Sequence, residues 1–281
     1  GNGQGKKVML AAHMDEIGLI ISYVDEKGFL RFQPIGGIDP MTLVGGRVQF
    51  ADGTQGVIAP ESRHDFRDAP ELAKLYVDVG VTSREQVQGR LGQAVGFVRP
   101  FADLGKRIMA KTLDDRIGCV VLVEVLRQLS DSPHDVYVVF SVQEEVGLRG
   151  ARTSAYDLDP DLGIALDVTI AADTPEAIKL AMKLGDGPCI KVMDSGMLSH
   201  PGLKDLLIET AEAQDIPYQL EVLVGGSTDA AAIQLARSGV PSSCISIACR
   251  YVHTQSEMVD MDDVENTARL LLAVLAAPMD I

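Results

Sequence analysis

The chain contains no tryptophan, and aromatic residues make up only 5% of its 281 positions. A site that grips sugar rings stacks them on aromatic faces, so carbohydrate chemistry has little to build on here. Cysteine is equally sparse. Cys119, Cys189, Cys244 and Cys249 show no CxxC spacing and sit mostly in apolar runs such as RIGCVVLVEVL. That pattern predicts buried free thiols in a reducing, cytoplasmic setting rather than a disulfide framework. No stretch approaches the roughly 20 apolar residues of a membrane span, and no signal peptide is visible. The longest apolar run, ARLLLAVLAAP, reads as a packed amphipathic helix near the C-terminus. Basic residues are outnumbered, 25 against 40 acidic ones, for a formal net charge of −15. Such a balance argues against nucleic acid and against anionic membranes as partners. GxxxxGK[ST], GxGxxG and HExxH are all missing, and neither Ser199 nor Ser227 stands in a nucleophile elbow.

What is present is an ordinary globular composition, 46% hydrophobic and 23% charged, enough for one large core or a core with an inserted domain. The chain starts at Gly1, and GNGQGKK leads almost at once into the apolar strand VMLAA at 8–12. A domain rarely opens on a central strand, so a segment upstream is expected to be absent. Short alternating runs follow (LIISYV, FLRFQPI, RVQFAD, TQGVIA, KLYVDVG, AVGFVRP), split by Gly, Pro and Asp-Gly turns. Their spacing predicts a small β-barrel, with SREQVQGRL as one helix inside it. After Ile108 helix and strand alternate, from DDRIGCVVLVEVLRQLS and VYVVFSV to SCISIAC and MDDVENTARLLLAVLAA. The expected fold is therefore α/β: a three-layer α/β/α domain with a mainly parallel sheet, formed by 1–18 and 107–281, with a β-barrel domain inserted at 19–106.

The junction at 136–150, VYVVFSVQEEVGLRG, carries the strongest chemical signal. A β-branched, aromatic run without Gly or Pro reads as an interior strand, yet it ends on two adjacent carboxylates, Glu144 and Glu145. Like charges at a buried strand end repel and lose hydration unless a cation lies between them. Other strand ends carry His13 and Asp15, Asp167 and His253, and Asp114–Asp115 precedes a helix. Carboxyl ends of strands converge in open α/β sheets, so these positions can form one site. Two histidines with several carboxylates suit zinc, cobalt or manganese. Taken singly, each residue has a plainer role: Asp114 or Asp115 as a helix cap, His13 as a satisfied core histidine, Glu144–Glu145 as an exposed turn, His253 as a loop residue. The turn Gly225–Asp229 reads as helix capping through Ser227 or Asp229, more than as an anion cradle.

Six segments, AHMDEIG (12–18), LDDRIG (113–118), VQEEVGLRGA (142–151), ALDVT (165–169), GGSTDA (225–230) and RYVHTQSEMVD (250–260), together resemble the tetrahedral (TET) aminopeptidases of the clan MH metallopeptidases. That family is also labelled glutamyl aminopeptidase or endoglucanase. The resemblance spans essentially the whole chain, and family members carry a further helix and strands before AHMDEIG. It implies two divalent ions per subunit, zinc or cobalt, with His13 and Asp167 on one, Glu145 and His253 on the other, and Asp114 bridging. Glu144 is then the general base, and Asp15 orients His13. The Asp114–Asp115 peptide is often cis in the clan. The inserted segment corresponds to a dimerisation domain through which members build homo-oligomers from dimer to dodecamer. Peptides would be the substrates. A glycoside hydrolase is the weaker alternative, since it needs carboxylates about 5–9.5 Å apart across a sugar bond. A non-catalytic or assembly-defective member lacking its N-terminal segment is the other.

Overall fold

The computed structural model describes residues 5–61 and 70–281; the first four residues of GNGQGKK lie outside it. By packing, the chain divides into two units. One contains the segment ending at Asp15 together with Ala102–Val252 and Glu257–Ile281, and the other contains Glu16–Phe101 and His253–Ser256.

The first unit is built on β1 (Lys7–His13), whose residues after Lys7 are all buried. An unbroken apolar run of this kind belongs in the middle of a parallel sheet covered on both faces. β1 pairs in parallel with β10 (Asp135–Ser141) on one side and β11 (Leu162–Ile170) on the other. β11 pairs in parallel with β14 (Ser242–Arg250). Beyond β14 the sheet turns antiparallel through β15 (Glu257–Asp260), β9 (Arg107–Ala110) and β8 (Ala102–Asp103). A branch of β12 (Cys189–Met193) and β13 (Gln219–Val222) leaves from β14.

Helices cover both faces. α1 (Leu113–Gln128), α3 (Pro201–Ala213) and α5 (Met261–Ala276) pack Leu122, Leu207 and Leu271 against Leu10 and Ile245. α2 (Arg149–Leu158) and α4 (Asp229–Gln234) lay Ala151, Ala155 and Ile233 on Met9 and Ala11. The small residues of the second layer let those helices approach the strands closely. The predicted three-layer α/β/α arrangement is thus observed, with a sheet that is parallel in its centre and antiparallel on one flank.

The second unit is a closed barrel in the order β2-β3-β6-β5-β4-β7. Its strands are β2 (Gly18–Val24), β3 (Leu30–Ile35), β4 (Arg47–Phe50), β5 (Gln55–Pro60), β6 (Leu75–Asp78) and β7 (Ala94–Phe97). All six alternating runs became strands. Leu19, Ile21, Phe32, Val48, Phe50, Ile58 and Val77 fill the interior, as period-2 patterning requires.

Two expectations need correction. SREQVQGRL is not a helix; only Arg84–Val87 forms a single 3-10 turn. Gln86 folds back, its side-chain carbonyl accepting from the backbone N–H groups of Thr82 and Ser83, and Gly89 at φ 91 leaves helical geometry. The polar segment has no apolar stripe to hold a longer helix against a core. VYVVFSV, read as an interior strand, lies at the end of the sheet as β10, half-buried through Val139, exposed at Phe140 and buried only at Ser141. Its β-branched content marks a strand but does not distinguish an edge from the centre.

Because β1 lies in the middle of the parallel sheet, Leu10→Ala should destabilise the first unit by about 2–5 kcal/mol. Val57→Ala, on the exposed side of β5, should change stability by about 0.5 kcal/mol or less. Urea midpoints of the two variants, referred to the parent, would separate these outcomes.

Candidate metal centre

The parallel register brings the ends of β1 and β10 together, His13 opposite Ser141. The Met14 amide donates to the Ser141 carbonyl at 2.9 Å, so the two chains leave the sheet side by side. β1 then delivers Asp15 and β10 delivers Glu144–Glu145. Asp15 Oδ1 accepts from the Glu144 amide at 3.2 Å and Oδ2 from the Glu145 amide at 3.3 Å. The same carboxylate faces His13 Nδ1 at 3.5 Å, an ion pair outside hydrogen-bond geometry. One side chain therefore orients the histidine ring and the backbone that carries both glutamates.

His13 is almost fully buried, and its Nε2 is ringed by carboxylates. Asp114 Oδ1 lies at 3.0 Å, Glu144 Oε2 and Asp167 Oδ1 each at 3.8 Å. Suitable donor atoms of His13, Asp114 and Asp167 all fall within 4.8 Å of one another, and Asp114 and Glu145 also bring oxygens within that distance. Asp114 thus faces both groups. His253 follows the end of β14 by three residues, at φ 61, in the segment that groups with the barrel.

The Asp114–Asp115 peptide is cis, and the adjacent acids do different things. Asp114 does not cap α1; its amide donates to Glu257 Oε2 at 3.0 Å, and its carboxylate turns to His13. Asp115 takes the capping role, accepting from the Gly118 amide at 3.1 Å through Oδ1 and from the His13 amide at 3.3 Å through Oδ2. The plain reading was right for one aspartate and wrong for its neighbour. At the turn 225–229 neither Ser227 nor Asp229 caps α4. Thr228 does, and the Asp229 carboxylate instead accepts from the Ser141 hydroxyl inside the protein. Sequence reasoning passed over Glu257 and the inward role of Asp229. The available signal was a charged residue within otherwise apolar motif segments, SEMVD and STDAAA.

Electrostatics set the chemistry. Burial, aided by the charge of Asp167, pushes the Glu144 carboxyl up to about 9. Burial raises Asp167 to about 6, although the His13 contact opposes it. Burial by itself would lower the basicity of His13, but its carboxylate partners, Asp114 first, hold it far above its ordinary value. A proton is thus held where several anions converge, which is the position a divalent cation would take. The donor set fits one: an imidazole nitrogen and carboxylate oxygens, with no thiolate. Cys119 donates to the His13 carbonyl at 3.3 Å, and burial pushes its thiol up to about 12, so it stays protonated.

Known proteins resemble the chain over nearly its whole length. The family described as M42 glutamyl aminopeptidase matches residues 1–270. A lysyl aminopeptidase of Pyrococcus furiosus is 40% identical over 294 residues, covering 99% of this chain and 84% of its own. A solved aminopeptidase of the archaeon Desulfurococcus kamchatkensis superposes with a TM-score of 0.95 at 44% identity, over 99% of this chain and 81% of that one. The TET1 peptidase of Pyrococcus horikoshii, described as assembling into a tetrahedron or a large octahedral shell, gives 0.87 at 32% identity, over 98% and 84%.

Glu144, Asp167 and His13 all bind their protons more tightly in the folded protein than in the unfolded chain. Linkage then makes metal-free protein less stable as pH rises, from about 4 upward for Asp167 and up to about 9 for Glu144. The urea midpoint in EDTA should be lower at pH 8.5 than at pH 6. Added zinc or cobalt should raise it most at pH 8.5, where fewer protons compete with the ion for the carboxylates. A midpoint in EDTA that climbs with pH would refute this account.

Proposed function

The chain belongs to the M42 glutamyl aminopeptidase family and is an aminopeptidase, a hydrolase; we propose that it removes the N-terminal residue of peptides with a water activated between two divalent metal ions. The observation that carries this reading is the ring of carboxylates at His13 Nε2, with Asp114 at 3.0 Å and Glu144 and Asp167 at 3.8 Å. His13 and Asp167 would hold one ion, Glu145 and His253 the second, and Asp114, which faces both groups, would be shared. When bound, such a pair brings the pKa of water near 7 and polarises the scissile carbonyl. Zinc or cobalt suits these donors best.

Within this scheme Glu144 is the general base. It takes the proton of the attacking water as the new C–O bond forms, and returns it to the amine nitrogen as the C–N bond breaks. Burial raises its proton affinity above that of an ordinary carboxylate, bound cations would offset part of that rise, and a value nearer neutral pH suits both steps. Glu145, one residue on, would serve as a ligand. Asp15 acts through others, holding the His13 ring and the Glu144–Glu145 amides, so it is a positioning residue.

We also assign the barrel, 19–106, to homo-oligomer formation, from dimer to dodecamer, with 1–18 and 107–281 as the catalytic part. The assembly described for the TET1 peptidase supports this. A cytoplasmic location is part of the proposal, supported by four free cysteines. No helix among the described residues is long and apolar enough to cross a membrane.

Hydrolysis of aminoacyl-p-nitroanilides with added cobalt or zinc tests the reading, with EDTA abolishing it. Glu144→Gln should lower kcat by about 10²–10⁴-fold while metal content, measured by elemental analysis, stays at the parent level. Full activity in that variant would remove Glu144 from the role.

A further inference from the structure

The turn that carries Glu144 and Glu145 is held in a strained backbone conformation. Gln143 at φ 59 and Leu148 at φ 56 are left-handed without being glycine. Such residues persist only where their surroundings over-determine them, and they collect at functional sites. Part of the restraint lies within the turn itself. The Leu148 amide donates to the Glu144 carbonyl at 2.9 Å, Arg149 to Gln143 at 3.1 Å and Gly150 to Val142 at 2.9 Å. Gly150 packs so closely that a Cβ there would meet both the amide nitrogen and the carbonyl oxygen of Val142 at 2.6 Å. That closes the turn on its own base, which is Ser141, the last residue of β10.

Ser141 is in turn held by two other elements. Its carbonyl accepts from the Met14 amide just after β1. Its hydroxyl, almost fully buried, donates to Oδ2 of Asp229, the first residue of α4. Asp229 is an expensive acceptor. It is only 2% exposed, and its Oδ1 is buried with no hydrogen-bond partner. One bond to a hydroxyl does not offset the hydration that a carboxylate loses there. A neutral side chain of similar shape would serve the fold better. Nor is the charge explained by a ligand role, because Asp229 belongs to neither group of candidate metal donors. A group kept at a cost in stability points to function. What the charge adds is strength, since a carboxylate makes a firmer hydrogen bond to a hydroxyl than a neutral acceptor does.

We propose that Asp229 is a positioning residue: through the Ser141 hydroxyl it anchors the base of the strained turn that presents Glu144 and Glu145. The inference rests on the peptidase reading above. Asp15 holds the same turn further along, through the Glu144 and Glu145 amides. The two acids grip it at different points.

The test uses alanyl-p-nitroanilide with the metal-loaded parent, Asp229→Ala, Ser141→Ala, their double variant and Asp229→Asn. Either alanine should lower kcat by about 10–100-fold, as removal of a partner just outside a site does, and leave KM unchanged. The double variant should lose no more than the worse single one, because both substitutions break one contact. Asp229→Asn keeps an acceptor without the charge, so its kcat should fall between Asp229→Ala and the parent. Its urea midpoint should be no lower than the parent's, which a purely structural role would not allow. Amide hydrogen exchange, followed with no substrate present, gives a readout independent of turnover. Exchange across 142–150 should quicken in both alanine variants and less in Asp229→Asn. Unchanged kcat in both alanine variants, or losses that multiply in the double variant, overturns the proposal. So does a lower midpoint with full kcat in Asp229→Asn. Should Asp229→Ala not fold, Ser141→Ala and Asp229→Asn decide the matter. If no substrate is hydrolysed but exchange changes as expected, the peptidase reading fails and the anchor stands. If hydrolysis is normal and neither alanine moves kcat or exchange, the reverse holds.

Discussion

The structure turns on concentrating negative charge where water is scarce. Asp114, Asp167 and Glu144 converge within 4 Å of one histidine nitrogen, and the neighbouring Asp115 is fully buried. In a medium of low dielectric such a cluster cannot stay ionised unaided. It is satisfied by retained protons or by cations, and the raised proton affinities of Glu144 and Asp167 are the mark of that competition. The same crowding that makes the site unfavourable for metal-free protein would favour a cation there.

Holding the cluster in place falls to acids whose oxygens accept from backbone amides. Asp15 spends both oxygens on the amides of Glu144 and Glu145 while facing His13. Asp115 joins the start of α1 to the backbone of His13. Glu257 accepts the Asp114 amide. Each ties a strand end to a neighbouring element, so the donors are fixed by the sheet and helices and not by loops alone. Placement within about 1 Å matters for any reacting group, and these bonds to backbone amides fix the cluster's geometry.

The barrel follows a different logic. Its interior is plain period-2 packing, and Arg31, Arg84 and Arg90 each pair with a carboxylate on its surface.

Much of this was legible in the primary structure. Apolar alternation gave the six barrel strands, because it records that one face of each is covered, and the alternation of helix and strand after Ile108 gave the α/β sheet. The ligating residue types at strand ends were also visible, and the six motifs tied them to a family. SREQVQGRL and the edge position of β10 were misread, since propensity reports local preference and is blind to the partner an element finds. The division of labour between neighbours was equally hidden: Asp114 faces His13 while Asp115 caps, and Thr228 caps while Asp229 turns inward. The sequence by itself determined the set of elements and the stock of charged side chains. Only the tertiary structure decided which of two adjacent carboxylates points where, because that depends on the register between strands whose residues lie a hundred or more positions apart.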